Sequence, residues 1–254
     1  MFKKMFMMIM MVLVFSSSAA AITGQEVAER MDAVDVSKCG QMDVVMVIRR
    51  GEQKMARVMT VRKKKFGDSE KQVIHFAKPA DVRGTSYLTW AYKDVGMEDD
   101  MWVYMPSESL VRRISGGGKK GPFMRSDYAN EDISRREVAD DKHTLVGEEN
   151  LFGVDCYVVE MVPVLPAKTN YTKRLVWIRK DIWLPAKIEY YNKKNTMFKE
   201  LLYGGYQKIQ GIWTTTRQKM TTPARGTETI MEYRNVEYNT GLDDAIFQQT
   251  DLKR

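Results

Sequence analysis

The feature of this sequence that most constrains its fold is a long succession of strand-like segments joined by short turns. The first three, Met42–Arg50, Lys54–Lys65 and Lys71–Phe76, are separated only by short turns that contain glycine. The pattern continues to residue 237 and predicts about thirteen strands in all. Because a parallel connection needs a crossover of roughly a dozen residues or more, strands joined this closely must be mostly antiparallel.

A sheet of this size cannot remain flat. Strand twist accumulates, and beyond about ten strands a sheet curls, closes or splits into two layers. Several predicted strands also carry large apolar groups on both faces: Trp102 and Tyr104, for example, oppose Met101 and Val103. We therefore predict a mainly β fold with a few helices, built on a large, strongly curved antiparallel sheet. This unclosed barrel or half-pipe would enclose an apolar cavity.

The N-terminus has the pattern of a cleaved export signal over residues 1–21. Two lysines precede the apolar run Met5–Phe15, and small residues follow at 19–21. The apolar run is shorter than the roughly 20 residues that a membrane-spanning helix needs. We expect an exported protein whose residues 22–254 form a single domain.

An amphipathic helix is predicted directly after this signal. Thr23 and Glu26 have the spacing of a capping box, and Val27, Met31 and Val34 then recur at helical intervals. The pattern indicates about three turns with one apolar face, packed on the sheet.

Charge and polar motifs give little support to catalysis or nucleic-acid binding. With two lysines in the predicted signal, 38 of the 40 Lys and Arg residues oppose 33 Asp and Glu residues, a net charge of about +5. This modest excess is spread along the chain, which favours a solvated basic surface. His75 and His143 lie in no nucleophile or metal motif. We expect no enzymatic activity, no cofactor and no metal.

Two cysteines leave two alternatives open. In an oxidising compartment Cys39 and Cys156 could form one disulfide, and they could equally be separate buried thiols.

Methionine and aromatic residues are the candidate lining of the cavity. Six of the 19 Met lie in the predicted signal, and several of the others occupy strand positions, where their flexible side chains suit walls that accept differently shaped apolar ligands. The predicted wall residues are Met46, Ile48, Met59, Val61, Leu88, Trp90, Tyr92, Trp102 and Tyr104.

The central stretch Ser115–Ile133 interrupts the strands and is the predicted lid. The run Gly116–Gly118 frees the backbone as a hinge, and Ser126 or Asn130 could cap a short helix, with acidic residues near its positive end. The predicted lid or gate residues are Gly121, Pro122, Phe123, Met124, Ser126, Asp127, Tyr128, Glu131 and Asp132.

A family resemblance covers essentially the whole chain after the signal. Gly121–Ile133, reading GPFMRSDYANEDI, is similar to a signature of phenylalanine, a small residue, Ser-Asp, an aromatic, two variable residues, Glu-Asp and an aliphatic. Weaker matches are Trp102–Pro106, Arg112–Ile114 and Gly241–Asp243 ahead of Phe247. These residues resemble the outer-membrane lipoprotein-sorting proteins, the LolA/LolB-like superfamily of periplasmic lipid carriers.

The resemblance implies an unclosed, curved sheet with helices over its open side and acyl chains held inside. It further implies a monomeric carrier that transfers lipid or lipoprotein acyl chains between membrane partners, either an inner-membrane exporter of the resistance-nodulation-division type or an outer-membrane acceptor. Nucleic acid is not an expected partner. Two alternatives are an exporter accessory subunit without cargo and, least favoured, an enzyme acting on a lipid or glycan.

Overall fold

The computed structural model describes residues 21–253, so residues 1–20 of the predicted signal lie outside the described part. Thirteen strands form one antiparallel sheet. The predicted number of strands and their antiparallel arrangement are confirmed. Within residues 21–253, no helix is long and apolar enough to cross a membrane.

The elements follow one another along the chain with few interruptions. The helix α1 spans Gly24–Asp32. The strands of the first half are β1 Cys39–Arg50, β2 Gln53–Lys65, β3 Ser69–Lys78, β4 Ser86–Tyr92, β5 Asp100–Met105 and β6 Leu110–Arg113. Those of the second half are β7 Asp141–Leu151, β8 Val154–Pro163, β9 Lys173–Arg179, β10 Pro185–Tyr191, β11 Met197–Ile209, β12 Ile212–Thr222 and β13 Thr227–Tyr238.

The sheet is unclosed within residues 21–253: its two edge strands, β6 and β7, follow each other in the chain but do not pair. Strand β1 lies in the middle and pairs with both β2 and β13. Strands β2 to β6 extend from it to one edge, whereas β7 forms the other edge and β8 to β13 return to β1. Residues 114–140, which we call the crossover segment, join β6 to β7 and therefore lead from one edge of the sheet to the other.

Strand alternation divides the side chains between two faces. Val44, Met46 and Ile48 of β1 are fully buried and belong to the same cluster as Phe123 of the crossover segment. We call this side the inner face. Residues directly opposite each other on paired strands share a face, so Met231 of β13, which opposes Met46, also lies there.

Helix α1 covers part of the inner face near β7. Its capping box is formed as predicted: Glu26 N–H donates to Thr23 Oγ1 at 3.1 Å and Thr23 N–H donates to Glu26 Oε2 at 2.7 Å. Val27 and Ala28 then pack on β8 and β9 residues such as Val159. The predicted amphipathic helix is present, but it ends at Asp32, so Val34 lies beyond it.

The end of the chain covers part of the other face, which we call the outer face. Short 3-10 turns at Asp244–Phe247 and Gln249–Lys253 bury Phe247 and Leu252. These two side chains pack with Leu88 of β4. The inner and outer clusters thus account for strands that are apolar on both sides.

The contact between α1 and β7 yields a testable prediction. A Cβ on Gly24 would lie 2.5 Å from Leu145 N, a backbone atom that cannot move aside. We expect Gly24→Ala to lower the free energy of unfolding by about 1–3 kcal/mol, measured by urea denaturation. The control is Gly147→Ala on β7, where nothing lies within 4 Å. Equal effects of both substitutions would contradict the close approach.

Candidate functional site

The crossover segment is a chain of tight turns on the inner face. It contains 3-10 turns at Gly116–Gly118, Phe123–Arg125, Asn130–Ile133 and Val138–Asp140. The predicted short helix is only the 3-10 turn Asn130–Ile133, and its N-cap residue is Ala129, not Ser126 or Asn130. Positive φ angles at Met124 (47°) and Arg125 (64°) end the preceding turn. An isolated bridge between Pro122 and Ala129 folds the segment back on itself.

Phe123 anchors the crossover segment in the core. Its side chain is fully buried, and its ring centroid lies 5.9 Å from that of Phe76 and 5.1 Å from that of Tyr87. The Tyr87 hydroxyl donates to Met124 Sδ at 3.3 Å. Burial raises the pKa of Tyr87 to about 12, so this hydroxyl keeps its proton at neutral pH.

Asp127 ties the crossover segment to β12 and β13. Its buried carboxylate accepts hydrogen bonds from the hydroxyls of Thr222 and Thr229, each at 2.7 Å, and from the Thr227 hydroxyl. The Asp127 N–H in turn donates to Thr229 Oγ1 at 3.0 Å. Several hydroxyl donors converging on one carboxylate compensate for its removal from water.

Glu131 ties the same segment to the chain just before β9. Its carboxylate accepts from Thr169 Oγ1 at 2.5 Å and from Asn170 N–H at 3.1 Å. Burial raises the pKa of Glu131, and these hydrogen bonds partly offset that rise. Glu131 lies in the first turn of Asn130–Ile133, as predicted, and its carboxylate in addition holds the chain just before β9.

Asp132 has both local and distant partners. It accepts from Ala129 N–H at 2.7 Å, which closes a turn, and from the Tyr171 hydroxyl at 2.7 Å. Lys199 Nζ of β11 lies 3.6 Å from the carboxylate. The three acidic residues of the central motif therefore all hold the crossover segment on the second half of the sheet.

An apolar cavity of about 260 Å³ remains between the crossover segment and the inner face. Tyr128, Leu201 and Tyr233 line it, with Lys63 and Gln72 at one side. Burial raises the pKa of Tyr128 well above its usual range, so the cavity wall stays uncharged there. Its other lining residues are Met42, Val44, Met59, Val61, Ile74, Phe123, Asp132, Ile133, Tyr190, Tyr203, Gln218 and Met231.

A second cavity of about 500 Å³ has many more charged residues in its wall, and we call it the polar cavity. It adjoins the first, because Tyr190 and Tyr203 line both. Burial raises the pKa of each of these tyrosines. Lys119 and Lys168 in its wall donate hydrogen bonds to backbone carbonyls, and these bonds hold neighbouring loops together. The interior thus combines an apolar compartment with a charged, hydrogen-bonded one.

The nine predicted wall residues are not brought together. Met46, Ile48, Met59 and Val61 belong to the inner cluster, and of these Met59 and Val61 line the apolar cavity. The remaining five lie on the outer face or at its margin: Leu88, Trp90, Trp102 and Tyr104 pack with Phe247, and Tyr92 borders the polar cavity.

Strand parity explains this separation. Tyr87 and Val103 belong to the inner cluster, so Leu88 and Trp102, one position along each strand, must face outward. Trp90 Nε1 donates to the Phe247 carbonyl at 3.0 Å on that side. Which inner residues contact a ligand stays a prediction.

Sequence reasoning missed the contribution of the second half of the sheet. Tyr190, Leu201 and Tyr203 line the apolar cavity, and Met220 belongs to the inner cluster. Ile188 and Tyr190 alternate with charged neighbours in the sequence. This alternation could have placed Ile188 and Tyr190 together on the inner face.

Cys39 and Cys156 are both buried and free. They lie on β1 and β8, and β9 to β13 separate these two strands in the sheet.

Comparison with known proteins places this fold and motif in a family. A family model described as "Uncharacterized protein" matches residues 68–254. A DUF1329 family protein from Desulfovibrio piger is 42% identical, with a TM-score of 0.88 over 90% of this chain and 97% of that one. The chain belongs to the DUF1329 family. No curated protein matches it.

Two other solved structures connect the fold with the expected superfamily. A domain from Vibrio parahaemolyticus, whose description relates it to outer-membrane lipoprotein sorting, is 30% identical, with a TM-score of 0.86 over 91% of this chain and 98% of that one. A LolA superfamily protein from Nitrosomonas europaea shares the fold, with 24% identity and a TM-score of 0.72 over 90% and 98%. The Vibrio domain confirms the resemblance to outer-membrane lipoprotein-sorting proteins, and the Nitrosomonas protein confirms that the fold is LolA-like.

The Asp127 tether yields a prediction about stability. Asp127→Ala leaves the buried hydroxyls of Thr222 and Thr229 without their acceptor, so we expect the free energy of unfolding to fall by about 3 kcal/mol in urea denaturation. Asp94→Ala is the control, since Asp94 is exposed and caps a single turn. An Asp127→Ala protein as stable as the control would show that the tether contributes nothing.

Proposed function

We propose that this protein is a periplasmic carrier that binds a lipid or lipoprotein acyl chain on the inner face and transfers it between membrane partners. Residues 22–254 would form the mature domain after removal of the signal. The observation that carries the proposal is the apolar cavity under the crossover segment, bounded by flexible and aromatic side chains such as Met42, Met59 and Tyr233. The descriptions of the Vibrio and Nitrosomonas relatives support it.

The chemistry of the cavity fits an acyl chain. Burial of each CH₂ contributes roughly 0.8 kcal/mol, so a single long chain could be held without polar recognition. The cavity adjoins the polar compartment at Tyr190 and Tyr203, which leaves space for a polar head beside the chain. Transfer then requires a partner that displaces the crossover segment, for which an exporter of the resistance-nodulation-division type and an outer-membrane acceptor are the proposed classes.

A second candidate function is an interaction subunit without cargo. The edge strand β7 favours it, because Val146 is 52% exposed and Phe152, at the β7–β8 turn, is 80% exposed. An unpaired edge with exposed apolar groups can accept a strand from a partner. In this case the inner cavity would have no role in transport.

Native mass spectrometry of the purified protein, followed by lipid extraction, separates the two functions. We expect bound or exchangeable lipid in a one-to-one complex with the carrier. A protein that neither retains lipid nor takes it up from added vesicles would leave only the interaction subunit.

Filling the cavity gives a sharper prediction. Val61 lines the cavity, so the larger side chain in Val61→Phe occupies space that a ligand needs. We expect lipid affinity to fall about tenfold, since this corresponds to the displacement of two methylenes. The matched control is Val58→Phe, which lies on the outer face of the same strand. Equal lipid binding by the two variants would place the ligand outside this cavity.

A further inference from the structure

Arg57 is a charged residue in an otherwise apolar row. On β2 it lies directly opposite Met46, which places it on the inner face. Its neighbours on that face are Met55 and Met59, which both pack in the inner cluster. Only 5% of the Arg57 side chain is exposed.

The buried guanidinium of Arg57 has no counter-charge in contact. Its Nε and Nη1 atoms have no hydrogen-bond partner among residues 21–253, and no carboxylate oxygen of that part of the chain lies within 4 Å of it. Another buried arginine, Arg174, has a counter-charge: its Nη2 lies 3.2 Å from Asp141, although its Nε also lacks a hydrogen-bond partner in the described part of the chain. A desolvated, unpaired cation is costly, so its retention needs an explanation.

The surroundings of Arg57 are also positive. Burial lowers its pKa, the charge of Asp81 raises it and that of Arg125 lowers it again. Arg50 donates to the backbone carbonyl of Arg125 at 2.5 Å. Arg57 thus lies within the electrostatic influence of Arg125, whose backbone Arg50 contacts, and the exposed Asp81 is a carboxylate that partly offsets this positive charge.

Apolar groups border the same place. Met55 and Met124 are partly buried and pack against the inner cluster. Met124 precedes Arg125 in the strained turn of the crossover segment. An occupant here would meet cationic nitrogen donors on one side and methionine side chains on the other.

We propose that Arg57, assisted by Arg125, binds the oxyanion of an amphiphile, a phosphate or a carboxylate, whose apolar part contacts Met55 and Met124. The inference rests on the proposed carrier function for the apolar part of the ligand. The anion supplies the hydrogen bonds and charge that Arg57 lacks within the protein, because guanidinium groups bind phosphate and carboxylate oxygens strongly.

The test compares monodecyl phosphate with 1-decanol by calorimetry on the delipidated protein, below the micelle concentration. We expect the phosphate to bind about tenfold more tightly or better, since hydrogen bonds to a charged group are strong. Arg57→Met should abolish this preference while decanol binding persists. The matched control is Arg62→Met. Arg62 lies on the outer face of β2, so this variant should keep the preference for monodecyl phosphate.

Inorganic phosphate alone identifies the source of the anion. If inorganic phosphate binds the wild-type protein but not Arg57→Met, the site is one for a free oxyanion. If monodecyl phosphate binds through Arg57 and inorganic phosphate does not bind, the anion is a lipid head group. Equal wild-type affinity for decyl phosphate and decanol would overturn the anion site and leave the carrier standing. Failure to bind either amphiphile would count against the carrier function as well.

Thermal unfolding gives an independent readout. Replacement of an unpaired buried charge by an apolar side chain of similar length removes its desolvation cost, so Arg57→Met should raise the Tm of the ligand-free protein. A merely structural role for Arg57 predicts the opposite change, and a lowered Tm would contradict the proposal. Arg57→Lys keeps the charge and should retain part of the preference for decyl phosphate.

Discussion

One topological constraint underlies the structure: the two edges of the sheet are consecutive in the chain. The connection from β6 to β7 must therefore lead from one edge to the other, and it does so along the inner face. The crossover segment consequently occupies the place where a ligand would otherwise meet the sheet. The crossover segment is attached to the two halves of the sheet by different kinds of contact. Phe123 packs on the first half of the sheet, whereas Asp127, Glu131 and Asp132 bind the second half.

The polar ties and the apolar cavity have different physical consequences. Buried carboxylates with several hydroxyl donors fix the central motif in one position, because their removal would leave unsatisfied groups in the interior. Apolar contacts are less directional and tolerate replacement by other apolar groups of similar volume. A ligand can therefore replace part of the packing around Phe123 more readily than it can break the bonds of Asp127.

The fold was largely predictable from sequence, and the site only in part. Short turns dictate antiparallel pairing, and the Thr23–Glu26 box marks the start of α1. Strand alternation identifies two faces but not which of them is inner, so Leu88 and Trp102 were grouped with Met59. That choice depends on what covers each face, and Phe247, far away in sequence, covers the outer one. The threonine partners of Asp127 are likewise about a hundred residues away, beyond the reach of local pattern.

The central position of β1 has a kinetic consequence. Gln41 near its start donates to Glu237, 196 positions later, and the ladder between β1 and β13 joins the first strand to the last. Contacts of such sequence separation form slowly, because the loop-closure entropy must be overcome before they form. Until β13 arrives, β1 presents an open hydrogen-bonding edge beside an apolar face. The folding chain is therefore most prone to aggregation just before its final strand docks.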